Sequence, residues 1–402
     1  MSAAAATSKY VALGVMVLVL TLSVALGLLS PYIMVLACLI LMGTTLADGS
    51  LPAALRAPTS LMLLAVVAAL AACFAFAARE PADLRFILNF VMFILAVPLY
   101  AALHANRSEA SSRIVARLAL AGALGSVIVI LLMIGFFGGR RSANGLIGVI
   151  VLGNTAVLLG FLSLIGIGAD RGVWRLLYLL GPIAGVCTVI MTQSRGPLIA
   201  LVPLGIASAI FMARSLRISW PLVWTGLVLG LAGTAIWVVS LGGRMGRLPG
   251  IVLSLLSGDV IQDRTTVSRL DMYQAAYKAF LDSPLFGHGW GRMMEAAKPY
   301  LANPRLARLP QLHNDLADFA VAAGSIGVVC YVTLIVGPIV LAARSVRDSQ
   351  YRFRLFGCIV LSIAYFCDGL TDLMFGFEFH TALYAALLVI LLGYCRDRET
   401  AA

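Results

Sequence analysis

Long apolar blocks separated by short polar breaks set the pattern of this chain. They lie near 11–29, 32–46, 61–77, 86–102, 114–137 and 146–167, then near 173–191, 197–213, 220–241, 315–342, 355–375 and 381–394. A helix of about 18 or more apolar residues can cross a bilayer. Within lipid, a helix satisfies its own backbone groups. The pattern therefore predicts an all-α, polytopic membrane protein with about twelve transmembrane helices. The first block follows a weakly basic start, with Lys9 alone, and is longer than a secretory signal core. It is expected to be a retained span.

One stretch breaks the pattern. Residues 242–311 are mostly polar, and His313 follows them. A loop of that length is usually functional or disordered, and its internal periodicity argues for order. Ser268 and Asp271 form an N-cap pattern that would open a helix. Leu270, Tyr273, Tyr277, Phe280 and Leu281 then fall on one helical face, and Pro284 closes it. A second short helix is expected near 292–297, before Pro299. Gly287, Gly289 and Gly291 make a tight turn whose backbone can approach another helix or a sugar, and His288 reads as a turn residue. The expected organisation is nine spans in 1–241, a helical loop domain in 242–314, and three spans with a cytoplasmic tail in 315–402.

Composition agrees. Hydrophobic residues make up 61% of the 402 residues and charged ones 12%, which excludes a soluble domain. The net charge of +11 comes from 29 Lys and Arg against 18 Asp and Glu. In a soluble protein that would suggest nucleic acid. Here the basic residues lie between spans, so orientation among membrane lipids accounts for them, and no nucleic-acid partner is expected. The cysteines all fall in or beside apolar blocks, and no CxxC pair suggests a metal.

Placing the N-terminus inside puts Lys9, Arg56, Arg107, Arg113, Arg117, Arg171, Arg175, Arg344, Arg347 and the other basic loop residues on the cytoplasmic side. The C-terminus is then cytoplasmic too, and the long loop lies outside. Only Arg79, Arg85, Arg140, Arg141 and Arg195 remain in the short outer loops. Arg79 and Arg85 have Glu80 and Asp83 beside them and are expected to pair. The Arg140–Arg141 pair is a better candidate for an anionic ligand. Arg195 precedes Pro197, which suits the first position of a helix. Arg269 would stand in the first turn of the loop helix, with Arg264 just before it. Helix N-termini favour anions, although each of these arginines could equally be a salt-bridged surface residue.

His313, Asn314 and Asp315 stand where the next span begins. Imidazole is the side chain best suited to move protons near neutral pH. Asp315 and Asp318 lie at a depth where acids are paired or functional. Asp368, Asp372, Glu378 and His380 form a second polar cluster, either packing glue or part of a substrate groove.

These features together resemble the O-antigen ligase and polymerase superfamily of bacterial envelope glycosyltransferases. The resemblance rests on the span count, the late outer loop and the Ser-Arg-Gly-Pro run at Ser194 to Pro197. It rests also on Arg269 followed by an aromatic four residues on, the Pro284-to-Gly291 turn, and His313 with Asn314. The aromatic is usually Trp and here is Tyr273. The topology covers nearly the whole chain and the motifs roughly 195–315. The resemblance implies a GT-C-like architecture in the bacterial inner membrane. It also implies inverting transfer of O-antigen from undecaprenyl pyrophosphate to a sugar hydroxyl of lipid A–core, at the periplasmic face. His313 would be the general base. Arg195, Arg264 and Arg269, with Arg140 and Arg141 in reserve, would hold the diphosphate. Asn314, Asp315, Gly287 and Gly289 would support them.

No Asp-x-Asp motif is present. The first outer loop, Ser30 and Pro31, is too short for the acidic loop of metal-dependent membrane glycosyltransferases. Metal-independent transfer without a cofactor is therefore expected, with arginines in the cation's role. An O-antigen polymerase would use the same donor. A transporter or flippase would also have about twelve spans, but no six-plus-six repeat is visible and the polar candidates avoid the midplane.

Overall fold

The computed structural model describes residues 3–137, 147–240 and 263–397, with 250, 254 and 257 between the last two. Among these, the regular elements are all helical, and nine helical runs are long and apolar enough to cross a membrane. The chain is a polytopic helical membrane protein.

The run from Ala4 to Ala47 holds two of the expected spans. Helix α1 (Ala3–Val17) gives way to a π turn at Leu18–Leu22, and Gly27 takes φ 50°. Helix α2 (Ser30–Ala47) then packs back against α1. The result is a hairpin, and its first arm begins well before the expected residue 11. The reason is local: Ala3 to Ala6 are strong helix formers and extend the apolar block backwards.

The bundle continues through α3 (Pro58–Ala77), α4 (Val91–Ala105), α5 (Ser111–Phe137) and α6 (Val149–Ser163). Next come α7 (Leu180–Thr192), α8 (Leu198–Leu216) and α9 (Trp220–Ser240). Helices α5, α6 and α7 form one tightly packed group, and α9 touches the rest mainly through α8. Glycines permit the close α6–α7 contact. A Cβ on Gly160 would lie 2.5 Å from the Gly181 carbonyl oxygen.

The cap follows. Helix α10 (Arg264–Asp282) and the short α11 (Met293–Ala297) rest on α12 (Asp315–Ala343). Helix α10 buries Met272 with Ala275, Ala276 and Ala279, and the three alanines let it lie close. Helices α13 (Tyr351–Gly369) and α14 (Glu378–Val389) complete the fold, with α13 against α12 and α14 against α4.

Helix α12 is broken at Ala323 and Gly324, where Gly324 has φ 60° and ψ −149°, a region open essentially to glycine. The glycine turn of the cap fills this break. His288 and Gly289 donate their N–H groups to the carbonyls of Val321 and Ala322, both at 2.9 Å, and Ser325 donates to Pro284 at 2.8 Å. The backbone groups that the kink frees are thus satisfied by the cap. A Cβ on Gly287 would come within 2.4 Å of the Ala322 backbone. These glycines therefore serve close approach to a helix. Trp290 follows them into a nest of Phe74, Phe90 and Phe319.

Candidate functional site

Four segments converge at one end of the bundle: the 193–197 turn, the first half of α10, residues 311–318, and the loop 370–376. Gly196 lies against Thr371, whose Oγ1 would be 2.7 Å from a Cβ there. That contact sets the Arg195 turn beside the residue that precedes Asp372.

Asp263, not Ser268, caps α10. Its side chain accepts from the Thr266 N–H at 3.1 Å and the Thr266 hydroxyl at 2.9 Å. The helix therefore begins about one turn earlier than expected. Arg264 occupies the first turn and Arg269 the second. Asp271 is drawn away from a capping role, because its oxygens accept from Ala302 and Asn303 N–H groups at 2.9 Å each. Asp is itself a favoured N-cap residue, so Asp263 competes in the sequence with Ser268 as the start of this helix.

Arg195 reaches both carboxylate oxygens of Asp263 through Nη2 at 3.2 Å. Burial raises the Asp263 carboxyl, but its Thr266 hydrogen bonds and Arg195 outweigh this and leave it below its ordinary value. The Arg195 side chain is only 18% exposed, so the turn and the cap helix are pinned together by a partly desolvated ion pair. Arg264 is exposed and Arg269 half-buried. Arg269 lies one helical turn before Tyr273 and acts electrostatically on its hydroxyl. Arg140 and Arg141 lie outside the described residues. Arg79 approaches Glu295 at 3.8 Å, while Asp83 accepts from the Arg79 N–H at 3.0 Å.

His313 takes φ 56°, left-handed backbone that costs a non-glycine residue about 1–2 kcal/mol. Its neighbours hold it there. Asn314 caps α12 by accepting from the Ala317 N–H at 3.1 Å, and Asp318 accepts from the Leu312 N–H at 2.9 Å. The Tyr273 hydroxyl stands 3.1 Å from the His313 carbonyl oxygen and 2.7 Å from that of Leu370. Burial raises its pKa, so the phenol keeps its proton as a donor. Asp315 is wholly buried and accepts from the Met374 N–H at 2.8 Å and the Phe375 N–H at 3.3 Å. It fixes the 370–376 loop and is not itself aimed at a ligand.

That loop brings Asp372 to His313. Nδ1 of the imidazole lies 3.5 Å from Asp372 Oδ1, and Gln311 Nε2 lies 3.1 Å from Nδ1 and 3.4 Å from the same carboxylate oxygen. Burial pushes Asp372 up, but the His313 ring, the His380 side chain and the Leu373 N–H outweigh it, so the carboxyl sits below its ordinary value. The three groups form a triangle in which the tautomer depends on Gln311. Donation from Gln311 to the ring leaves Nδ1 bare and protonates Nε2. Donation to Asp372 leaves Nδ1–H facing the carboxylate and frees the Nε2 lone pair.

The expected second polar cluster therefore divides. Asp372 joins His313, whereas Asp368 and His380 are buried in the bundle and Glu378 is exposed. Among the described residues, no group of three or more His, Cys, Asp or Glu side chains is arranged to hold a metal.

The fold and site define a helical membrane protein whose spans carry a helical cap, with a histidine–carboxylate pair at the cap's edge and an arginine pinned to the start of the cap helix. Residues 180–332 match the family model described as O-antigen ligase. The match supports membership in the O-antigen ligase and polymerase superfamily. It contains Arg195, Arg264, Arg269, the glycine turn and His313, and ends before Asp372. No curated protein matched the chain.

Proposed function

We propose that the protein is an O-antigen ligase, an inverting glycosyltransferase acting at the periplasmic face of the bacterial inner membrane. The observation that carries this reading is His313 beside Asp372 under the helix that bears Arg269, within and next to the region that matches the family. The donor is O-antigen on undecaprenyl pyrophosphate, and the acceptor is a sugar hydroxyl of lipid A–core. The nine apolar runs, the hairpin within the first, and helices α13 and α14 support about twelve spans in a GT-C-like arrangement. The excess of arginine at the end away from His313 supports cytoplasmic termini. Residues 242–314 are read as the periplasmic cap between two blocks of spans.

In this mechanism the Asp372 carboxylate accepts a hydrogen bond from His313 Nδ1–H, orients the ring and stays ionised. The free Nε2 removes the proton of the acceptor hydroxyl as its oxygen attacks the anomeric carbon. The bond to the diphosphate breaks, and its electron pair leaves with the phosphate oxygen. Arg264 and Arg269 meet the charge that develops there, each charged hydrogen bond contributing about 1.5–3 kcal/mol. Arg195 takes part by exchanging Asp263 for the diphosphate, and Arg140 and Arg141 are further candidates. No metal is required in this scheme.

The test is transfer in detergent with purified protein, lipid-linked glycan and lipid A–core. Product formation unaffected by chelator supports the proposal. Lost activity restored by a divalent ion would overturn the metal-free step. Transfer only onto a second lipid-linked glycan would make the protein a polymerase.

A further inference from the structure

A recess of about 460 Å³ opens on the flank of the bundle between α5 and the short helix Trp174–Leu177. It is lined by Leu120, Ala121, Leu124 and Leu177 together with Arg117, Trp174 and Tyr178. It is far from the histidine. Ser112, at the start of α5, donates its N–H and hydroxyl to Gln350 at 3.0 and 2.8 Å, and Gln350 caps α13. Asp372 lies just past the other end of that 19-residue helix. At 1.5 Å per residue that helix spans roughly 28 Å, so Ser112 and Asp372 stand near opposite faces of the membrane, and the recess lies toward the Ser112 end.

The charge at the recess is one-sided. Arg113 and Arg117 both reach a single carboxylate, Asp170, and Arg171 and Arg175 follow it in sequence. Arg117 Nη2 bonds Asp170 at 2.8 Å, the Tyr178 hydroxyl donates to the same oxygen at 3.0 Å, and Arg113 Nε approaches at 3.6 Å. Asp170 is thus saturated and only 12% exposed, while Arg117 and Arg113 remain 61% and 41% exposed. The carboxylate organises the guanidinium groups and leaves a net positive rim. Arg117 sits about two turns inside α5, so its charge lies at headgroup depth. One and two turns deeper, Leu120 and Leu124 continue into the exposed apolar face at Ile128 and Leu131. Trp174, 69% exposed, marks the interface.

We propose that this recess binds one anionic glycerophospholipid of the surrounding leaflet. Its phosphate lies at the exposed guanidinium groups of Arg113 and Arg117, and an acyl chain runs along Leu120 and Leu124. Charge complementarity selects the headgroup, and the apolar floor selects a lipid over a free anion.

The test is native mass spectrometry of the delipidated full-length protein in detergent, titrated with phosphatidylglycerol or phosphatidylethanolamine. Wild-type protein should retain one phosphatidylglycerol in preference. The double variant Arg113→Ala/Arg117→Ala should weaken that retention by roughly tenfold or more. Arg344→Ala/Arg347→Ala, which removes equal charge at the same end but outside the recess, should not. Ala121→Trp, which fills the floor and keeps every charge, should also abolish the adduct, and it decides the matter if the double variant does not fold. Equal loss in both arginine pairs, retention in Ala121→Trp, equal uptake of phosphatidylethanolamine, or displacement by millimolar inorganic phosphate would each overturn the proposal.

Discussion

The Tyr273 hydroxyl lies 3.1 Å from the carbonyl oxygen of His313, so the cap helix touches the histidine through its backbone. The same hydroxyl reaches Leu370, two residues before Asp372. One phenol therefore ties together the helix, the histidine and the loop that carries its carboxylate.

Removing that hydroxyl should loosen the site without emptying it. Tyr273→Phe is expected to cost about 0.5–1.5 kcal/mol of stability and to slow transfer several-fold. Tyr273→Trp keeps an N–H donor on an aromatic frame and should retain more activity than Phe. Thermal unfolding and transfer rates of the two variants test this. Equal activity in both would remove the hydrogen bond from the argument.

His313→Ala should reduce transfer by about 10²–10⁴-fold with little change in expression. Asp372→Asn should lower the rate less, and Gln311→Ala, which frees Nδ1 to face the carboxylate alone, should preserve it. A large loss in Gln311→Ala would mean that the amide is needed to hold Asp372 or the ring in place.

The depressed pKa of Asp372 links it to stability. A carboxyl held below its unfolded value stabilises the fold above the unfolded pKa, near 4, and loses that contribution as pH falls through its folded value. Wild-type protein should therefore lose stability on acidification below about pH 4, and Asp372→Asn should show a shallower slope. Parallel curves for the two proteins would contradict the linkage.

Asp263 both caps α10 and occupies Arg195. Asp263→Ala should destabilise the cap by about 1 kcal/mol, whereas Asp263→Ser restores most of that as a neutral capping residue. If the diphosphate competes with Asp263 for Arg195, the Ser variant should also show a several-fold lower KM for the donor. An unchanged KM would remove Arg195 from donor binding.

Gly287→Ala would force a Cβ into the Ala322 backbone at a φ of 71°. Strain of that kind costs about 1–3 kcal/mol before the steric clash is counted. A fall in the unfolding temperature, with increased protease cleavage inside the cap, is the expected result.

The spans were legible because lipid demands long apolar blocks, and that demand is written residue by residue. The glycine turn was legible from its local spacing, but the first turn was expected at Ser30 and Pro31, whereas the structure puts it at Gly27 and makes Ser30 and Pro31 the opening of α2. Asp263 was readable as a cap but was masked by the competing Ser268–Asp271 pattern. Asp372 could not be assigned to His313 from sequence, because 59 positions separate them and only the packing of α12 on α13 closes that gap. Arg195 showed the opposite limit. Its place at a helix start was visible, yet its ion pair with Asp263 depends on how the cap settles.

The break in α12 moves the working boundary of the cap. Its glycine turn is bonded to Val321 and Ala322, so the first eight residues of that helix belong mechanically with the cap. A chimaera that exchanges caps between relatives should be joined at Gly324, inside the span. A junction placed at its visible start would separate the turn from the carbonyls that receive it.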